Sequence, residues 1–372
     1  MRKPSVSNLP FVGMTSSLAV VHAVSLVVAG CDDGSGSAQL AAITTVPLRS
    51  YYSELETVAE ATARIPDAAK HGFGIIRLVT PDDLHTPALA RFFESAARAG
   101  VATRAWLVLS QAEGYWPNED NLAAFGVAVD AFIAWRAAND APVDWITFDL
   151  EPSWQYTHEL IDIASGSTGL DRITDLLALV REHVDAAKFA ESRVALGGIL
   201  ARVHAAGMRA HCVTYPMVLD DLADGDDDIQ DGLDVPVRGL AWDEVSFMTY
   251  RSALALYATE PFGPAMFADY ARDAVAAFGS RAALDLGVIG ADPITGAIGY
   301  TDPAALAEDL TAAIAGGVAT VHLYSLERAA AESDASAWFT VEATPGAPVP
   351  PPDSGTTALR GIFSLLDDVL VQ

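Results

Sequence analysis

Cysteine and lysine are almost missing from this chain: its 372 residues carry two Cys and three Lys beside nineteen Arg. So few thiols exclude a disulfide framework as the source of stability. The fold must rest on an apolar core instead, and 51% hydrophobic residues are enough for a large one. Positive charge is scarce as well, with 22 Lys+Arg against 49 Asp+Glu and a formal net charge of −27. That balance argues against nucleic acid, which needs a basic face to neutralise phosphates. It argues equally against adsorption to anionic lipid headgroups. Also missing are His-x-x-x-His and Cys-x-x-Cys, the usual transition-metal spacings, and the Gly-x-Ser-x-Gly of serine hydrolases. Neither a resident metal nor a cofactor is implied.

The two cysteines carry different meanings. Cys212 lies in an apolar strand-like run, Arg209–Tyr215, and reads as a small buried hydrophobe. Cys31 closes Val28-Ala29-Gly30-Cys31, behind Arg2, Lys3 and a long uncharged stretch. A basic start, an apolar middle and small residues at the end make a secretory signal over 1–30. The junction resembles the bacterial lipobox, which implies lipidation of Cys31 and a membrane-anchored, extracytoplasmic lipoprotein. Residues 31–40 follow as a polar, flexible tether.

From about residue 41 short apolar runs alternate with amphipathic stretches. Strands are expected near 43–48, 73–79, 102–109, 143–150, 208–215, 243–250, 283–289 and 319–325. Helices are expected at Pro87–Ala99, Leu122–Ala138, Asp171–Ala190, Met266–Phe278 and Pro303–Ala315, with Gly100, Gly207, Gly279 and Gly316 or Gly317 as C-caps. Eight strands with intervening helices predict an α/β fold of the closed (β/α)₈ TIM-barrel type over 41–340. An open doubly wound sheet is the lesser alternative, since no Gly-rich phosphate fingerprint follows the first strand. Asp220–Asp234 holds eight Asp. It is expected to be a solvated acidic loop, with weak Ca²⁺ binding as the alternative. In the register of Asp224, Asp226 and Asp228 it lacks the Gly that an EF-hand-type loop has at its sixth position. A Pro-rich linker (341–358) and a short amphipathic helix (359–372) complete the chain.

The most informative stretch is Val143-Asp144-Trp145-Ile146-Thr147-Phe148-Asp149-Leu150-Glu151-Pro152. Residues i and i+2 of a strand share a face, so Thr147, Asp149 and Glu151 point one way and Ile146, Phe148 and Leu150 the other. On the fourth strand of a barrel, this places two carboxylates at the mouth. The same parity turns Met248 and Tyr250 inward on the sixth strand, His322 and Tyr324 on the eighth, and Arg104, Trp106 and Ser110 on the third. Tyr215 falls at the end of the fifth. Tyr115, Trp116, Trp154 and Tyr156 follow the third and fourth strands on the same face. Carboxylates among aromatic rings suit a sugar: the rings stack on its apolar faces and the acids address the glycosidic bond.

Asp144, Asp149 and Glu151 match acidic positions of the D-x-x-D-x-D-x-E signature, and Met248-Thr249-Tyr250 is similar to a sixth-strand M-x-Y. On these two motifs, the region from 41 to 335 resembles family 18 glycoside hydrolases, the chitinases and endo-β-N-acetylglucosaminidases. The resemblance implies Glu151 as general acid/base. It implies that Asp149 orients a substrate 2-acetamido group acting as internal nucleophile, and that Tyr250 hydrogen-bonds that group. Thr147 stands where the family has the middle Asp, and Arg251 where it usually has Asp. Tyr215, Trp106, Met248, Tyr324, Trp116, Trp154 and Arg251 are the expected substrate-binding side chains. Two other readings stay open: a retaining glycosidase with a separate carboxylate nucleophile such as Asp292 or Glu327, and a non-catalytic barrel that binds a glycan or a protein.

Overall fold

The computed structural model describes residues 48–370 apart from 167, 168 and 259. The expected signal segment, Cys31 and the tether lie outside the described residues. Eight parallel strands close a barrel in sequence order. They are β1 (Leu48–Ser53), β2 (Gly74–Val79), β3 (Thr103–Leu107), β4 (Trp145–Asp149), β5 (Arg209–Thr214), β6 (Glu244–Tyr250), β7 (Ala282–Gly287) and β8 (Thr320–Tyr324). β1 closes the ring by pairing with β8, Ser50 opposite His322.

Seven strands fall where the apolar runs place them, and β1 is the exception. Its residues are not an apolar run at all. Arg49 and Tyr51 face outward and bond the carbonyls of Phe339 and Trp338 at 2.7 Å each. Tyr52 points into the barrel. The strand is defined by these long-range partners and not by local hydrophobicity.

The helical layer begins with α1 (Val58–Ala63), α2 (Ile65–His71), α3 (Pro87–Arg98) and α4 (Leu122–Asn139). Between β4 and β5 lie α5 (Trp154–Gly166), α6 (Gly169–His183) and α7 (Ala186–Ala205). A single helix was expected over Asp171–Ala190. Asp185 divides it, its side chain accepting from the Ala187 and Lys188 amides at 3.1 Å as the N-cap of α7. Next come α8 (Val218–Asp224), α9 (Asp228–Gly232), α10 (Arg251–Leu254), α11 (Ala265–Phe278) and α12 (Pro303–Gly316). The order ends with α13 (Leu326–Ala331), α14 (Ala335–Phe339) and α15 (Ser354–Leu370). α15 starts before the expected 359, and Asp353 accepts from the Thr356 amide at 2.7 Å at its head.

The acidic segment is a correction. It folds into α8 and α9 instead of a solvated loop, and its carboxylates tie helices together. Asp220 pairs with Arg360 (2.5 Å), Asp227 with Arg193 (2.8 Å) and Asp234 with His183 (3.2 Å). Asp221 accepts from the Ile229 amide and Asp231 from the Asp185 amide, both at 2.9 Å. Asp221 and Asp227 also share the Gln230 side-chain amide as donor, and among the described residues no cluster of ligand-type atoms forms in this segment, so the Ca²⁺ expectation has no geometric support.

Strand parity sorts the core into two compartments. Ile146, Phe148, Leu150, Cys212, Val245, Phe247, Val321 and Leu323 join the large cluster between barrel and helices. Tyr52, Ile76, Leu78, Trp106, Val108, Val213, Met248, Val288 and Tyr324 fill the barrel's interior. Ser110 departs from the third-strand parity: it lies beyond the strand, exposed, and bonds Glu113 at 2.7 Å.

Candidate active site

The interior holds two polar layers. In the lower one, Arg104 of β3 grips Glu244 of β6 with two bonds of 2.5 and 3.1 Å. His322 of β8 reaches the same carboxylate at 2.8 Å. His211 of β5 is held at both ring nitrogens, by Thr147 (3.1 Å) and Ser246 (2.9 Å). The Arg104 guanidinium offsets the burial that opposes ionisation and keeps the Glu244 carboxyl well below the ordinary range. His211, Glu244 and His322 bring ligand-type atoms within 4.8 Å of one another. Arg104 takes the carboxylate and both His211 nitrogens are hydrogen-bonded, while His322 Nδ1 is buried without a partner.

The upper layer is built differently. Asp149 ends β4 and Glu151 follows it by two, so both project into the mouth, 4% and 7% exposed. Glu151 accepts a 2.6 Å bond from the Tyr215 hydroxyl, and the Asp149 and Glu151 carboxyls share a hydrogen bond. The Oδ1 atom of Asp149 is buried without a partner. Burial, the Glu151 charge and the Asp285 charge push Asp149 well above the carboxylate range. Burial likewise raises Glu151, to about 7, against the pull of the Tyr215 bond. Both carboxyls of the pair are thus held toward their protonated forms, burial being the main cause in each.

Three further groups complete the mouth, and two of them, Glu54 and Asp285, were not singled out from the sequence. Glu54, just past β1, accepts from the hydroxyls of Tyr115 (3.0 Å) and Tyr324, and burial raises its carboxyl. Asp285 of β7 accepts from Tyr52 (2.9 Å) and Ser246 (2.8 Å), linking the two layers, and burial moves it up to about 6. Gly287 leaves room for two aromatic neighbours: a Cβ there would sit 3.0 Å from the Tyr250 ring and 3.2 Å from Tyr324. These rings pack 5.7 Å apart across it. Glu54 escaped notice because the first strand was set too early. Inward parity along β1 from Tyr52 would have found it.

A cavity of about 180 Å³ opens at this mouth. Asp149, Glu151, Tyr250, Tyr215, Trp106, Met248, Tyr324 and Trp116 all line it, with Glu54 and Asp292. Trp154 stands behind, its ring packed on Trp116 at 5.5 Å. Tyr156 is turned away, its hydroxyl on the Gly232 carbonyl and its ring stacked on His183. Arg251, expected to touch substrate, is a correction. It forms a two-pronged pair with Asp309 of α12 (2.6 Å) and donates to the Phe262 carbonyl. Its partner lies 58 residues away, so sequence spacing gave no hint of it. Glu327 lies outside the lining and accepts from the Leu55 amide at 3.2 Å.

Fold and site together define a (β/α)₈ barrel with an acid pair at the C-terminal ends of its strands, the face where barrel enzymes keep their chemistry. No protein-family model and no curated protein matches the chain. Among solved structures it is similar to the glycoside hydrolase domain of PgaB (BpsB) from Bordetella bronchiseptica, at 13% identity and a TM-score of 0.50, over 80% of this chain and 99% of that one. It is also similar to a D-allulose 3-epimerase from Methylomonas sp., at 13% identity and a TM-score of 0.41, over 87% and 98% of the two chains. Identities this low are a likeness of fold.

Proposed function

We propose that the protein is a glycoside hydrolase acting on an extracellular or cell-wall glycan, with Glu151 as general acid/base. One observation carries this reading: a buried pair of adjacent carboxyls, Asp149 and Glu151, at the mouth of a barrel, in an aromatic-walled cavity. A group titrating near 7 holds its proton often enough to give it to a glycosidic oxygen, and loses it readily enough to activate water afterwards. The PgaB glycoside hydrolase domain, a neighbour in fold, supports a carbohydrate ligand.

The pair itself cannot flank the scissile bond. Retaining enzymes separate their two carboxyls by roughly 5–5.5 Å and inverting ones by roughly 6.5–9.5 Å, and groups that share a hydrogen bond are closer than either. Asp149 therefore serves as a proton-holding neighbour. The likeness of the β4 and β6 motifs to family 18 supports a substrate acetamido oxygen as nucleophile, oriented by Asp149 and Tyr250. Protein carboxylates lining the cavity apart from the pair are Glu54 and Asp292, and the Oδ1 of Asp292 is taken by the Ile294 and Thr295 amides.

The test is a screen of aryl glycosides and cell-wall fragments with wild type beside Glu151→Gln. Cleavage by the wild type that disappears in the variant, while binding survives, is the expected result. Binding without cleavage in both proteins would make the barrel a lectin-like binder. Export by residues 1–30 and anchoring through a lipid on Cys31 belong to the same proposal. Cys31→Ala should abolish lipid labelling and release the protein from the membrane fraction, and unchanged labelling would refute the anchor.

A further inference from the structure

The cavity does not end at the acid pair. Beyond Tyr215 and Met217 the same space runs outward into the helical layer, walled by Leu160 of α5, Leu176 and Val180 of α6, Leu233 beside α9, Leu254 of α10 and Phe363 of α15. Among the described residues lining this arm there is no charged side chain. Sugars are coated in hydroxyls, and a hydroxyl buried against such walls would lose its water without gaining a hydrogen bond, which is unfavourable. The arm therefore suits hydrocarbon and rejects a second sugar ring.

Its position relative to the acid is what gives it meaning. Apart from Phe363 of the C-terminal α15, the arm's walls follow β4, β5 and β6, the side of the mouth from which Glu151 and its partner Tyr215 project. Glu54 and Tyr324 belong to β1 and β8, on the other side. A general acid stands next to the oxygen of the departing group. A ring seated between Glu54 and Glu151 would thus direct its leaving group into the arm. We propose that the substrate is an amphiphilic glycoside, a sugar whose aglycone is an alkyl or acyl chain, and that the arm from Met217 to Phe363 seats this chain. The inference rests on the hydrolase reading and gives it a substrate class.

The experiment separates the two. Binding of methyl, butyl and octyl N-acetyl-β-D-glucosaminides, below their micellar concentrations, is measured on Glu151→Gln, and hydrolysis of the same series on the wild type. Burying a methylene is worth about 0.8 kcal/mol, so affinity should rise about fourfold per carbon until the arm is full. Ile161→Trp and Leu177→Trp place bulk at half-exposed positions of the arm. Each should erase the octyl gain and leave methyl-glycoside binding and thermal stability unchanged. Equal affinity for all three chains in the parent protein overturns the proposal. So does an octyl gain that survives both Trp variants, and so does free octanoate binding as tightly as the octyl glycoside. Methyl and octyl glycosides cleaved with equal kcat/KM would leave the hydrolase and remove the arm. A chain-length gain in binding, with no glycoside cleaved, would leave the arm and remove the hydrolase.

Discussion

Two buried acid clusters lie one above the other in the same barrel, and they are tuned in opposite directions. In the lower one Glu244 sits between Arg104 and His322 and stays ionised. In the upper one Asp149, Glu151 and Glu54 have only tyrosine hydroxyls and each other for partners, and all three are shifted upward. Burial opposes ionisation equally in both places, and the presence or absence of a cation decides the sign. A carboxylate matched by an arginine is fixed for good, whereas one facing only hydroxyls keeps a proton that it can give away. The comparison explains why burial alone did not mark the site, and why the unmatched cluster is the place to look for chemistry.

The comparison breaks most sharply under paired substitutions. Glu151→Gln should lower kcat/KM by roughly 10²–10⁴-fold, the usual worth of general acid catalysis, with little change in melting temperature. Glu244→Gln should do the reverse. Leaving Arg104 buried beside a neutral amide costs about 3–5 kcal/mol, visible as a lower denaturant midpoint, while any folded fraction turns over normally. If Glu244→Gln abolishes activity without destabilising the protein, the two layers have been assigned the wrong way round.

A smaller effect concerns pH. Catalysis needs Glu151 protonated, so kcat/KM should fall as pH rises through about 7. Tyr215→Phe removes the hydrogen bond that lowers Glu151, so the alkaline limb should move to higher pH. A limb that stays put would mean that another group controls it.

Smallest is the effect on stability. Groups raised on folding stabilise fully below their unfolded values and lose that contribution as pH climbs through their folded ones. Glu151 (about 7), Asp285 (about 6), and Glu119 and Asp221 (about 8 each) all behave this way. Glu244, shifted downward, contributes above its unfolded value and loses it in acid. Melting temperature should therefore peak near pH 5, drop on the acid side and decline gradually toward pH 8. A maximum at pH 8 would mean that the mouth is not desolvated as described.

Strand parity made much of this architecture legible. The inward set Thr147, Asp149, Glu151, Met248, Tyr250, His322 and Tyr324 follows from period two alone, and seven of the eight strands lie where apolar runs placed them. What parity could not supply were partners distant in sequence. Asp309 claims Arg251, Arg360 claims Asp220, and Glu54 is defined by Tyr115 and Tyr324. Asp285 was hidden inside an apolar-looking Leu-Asp-Leu, readable as an interior acid only once Ser246 and Tyr52 are known to face it. Local pattern sets the direction of a side chain, and only the assembled barrel shows what it meets.

α15 bears on how the molecule comes to be made. Phe363 belongs to a helix translated long after Glu151, held down by Arg360 through Asp220 and Asp273. While a ribosome is still copying the later strands, the aliphatic slot beside the acid pair has no cover on that side. For that interval the unfinished chain presents a greasy groove to its surroundings, a period of exposure in which aggregation or capture by a chaperone competes with folding.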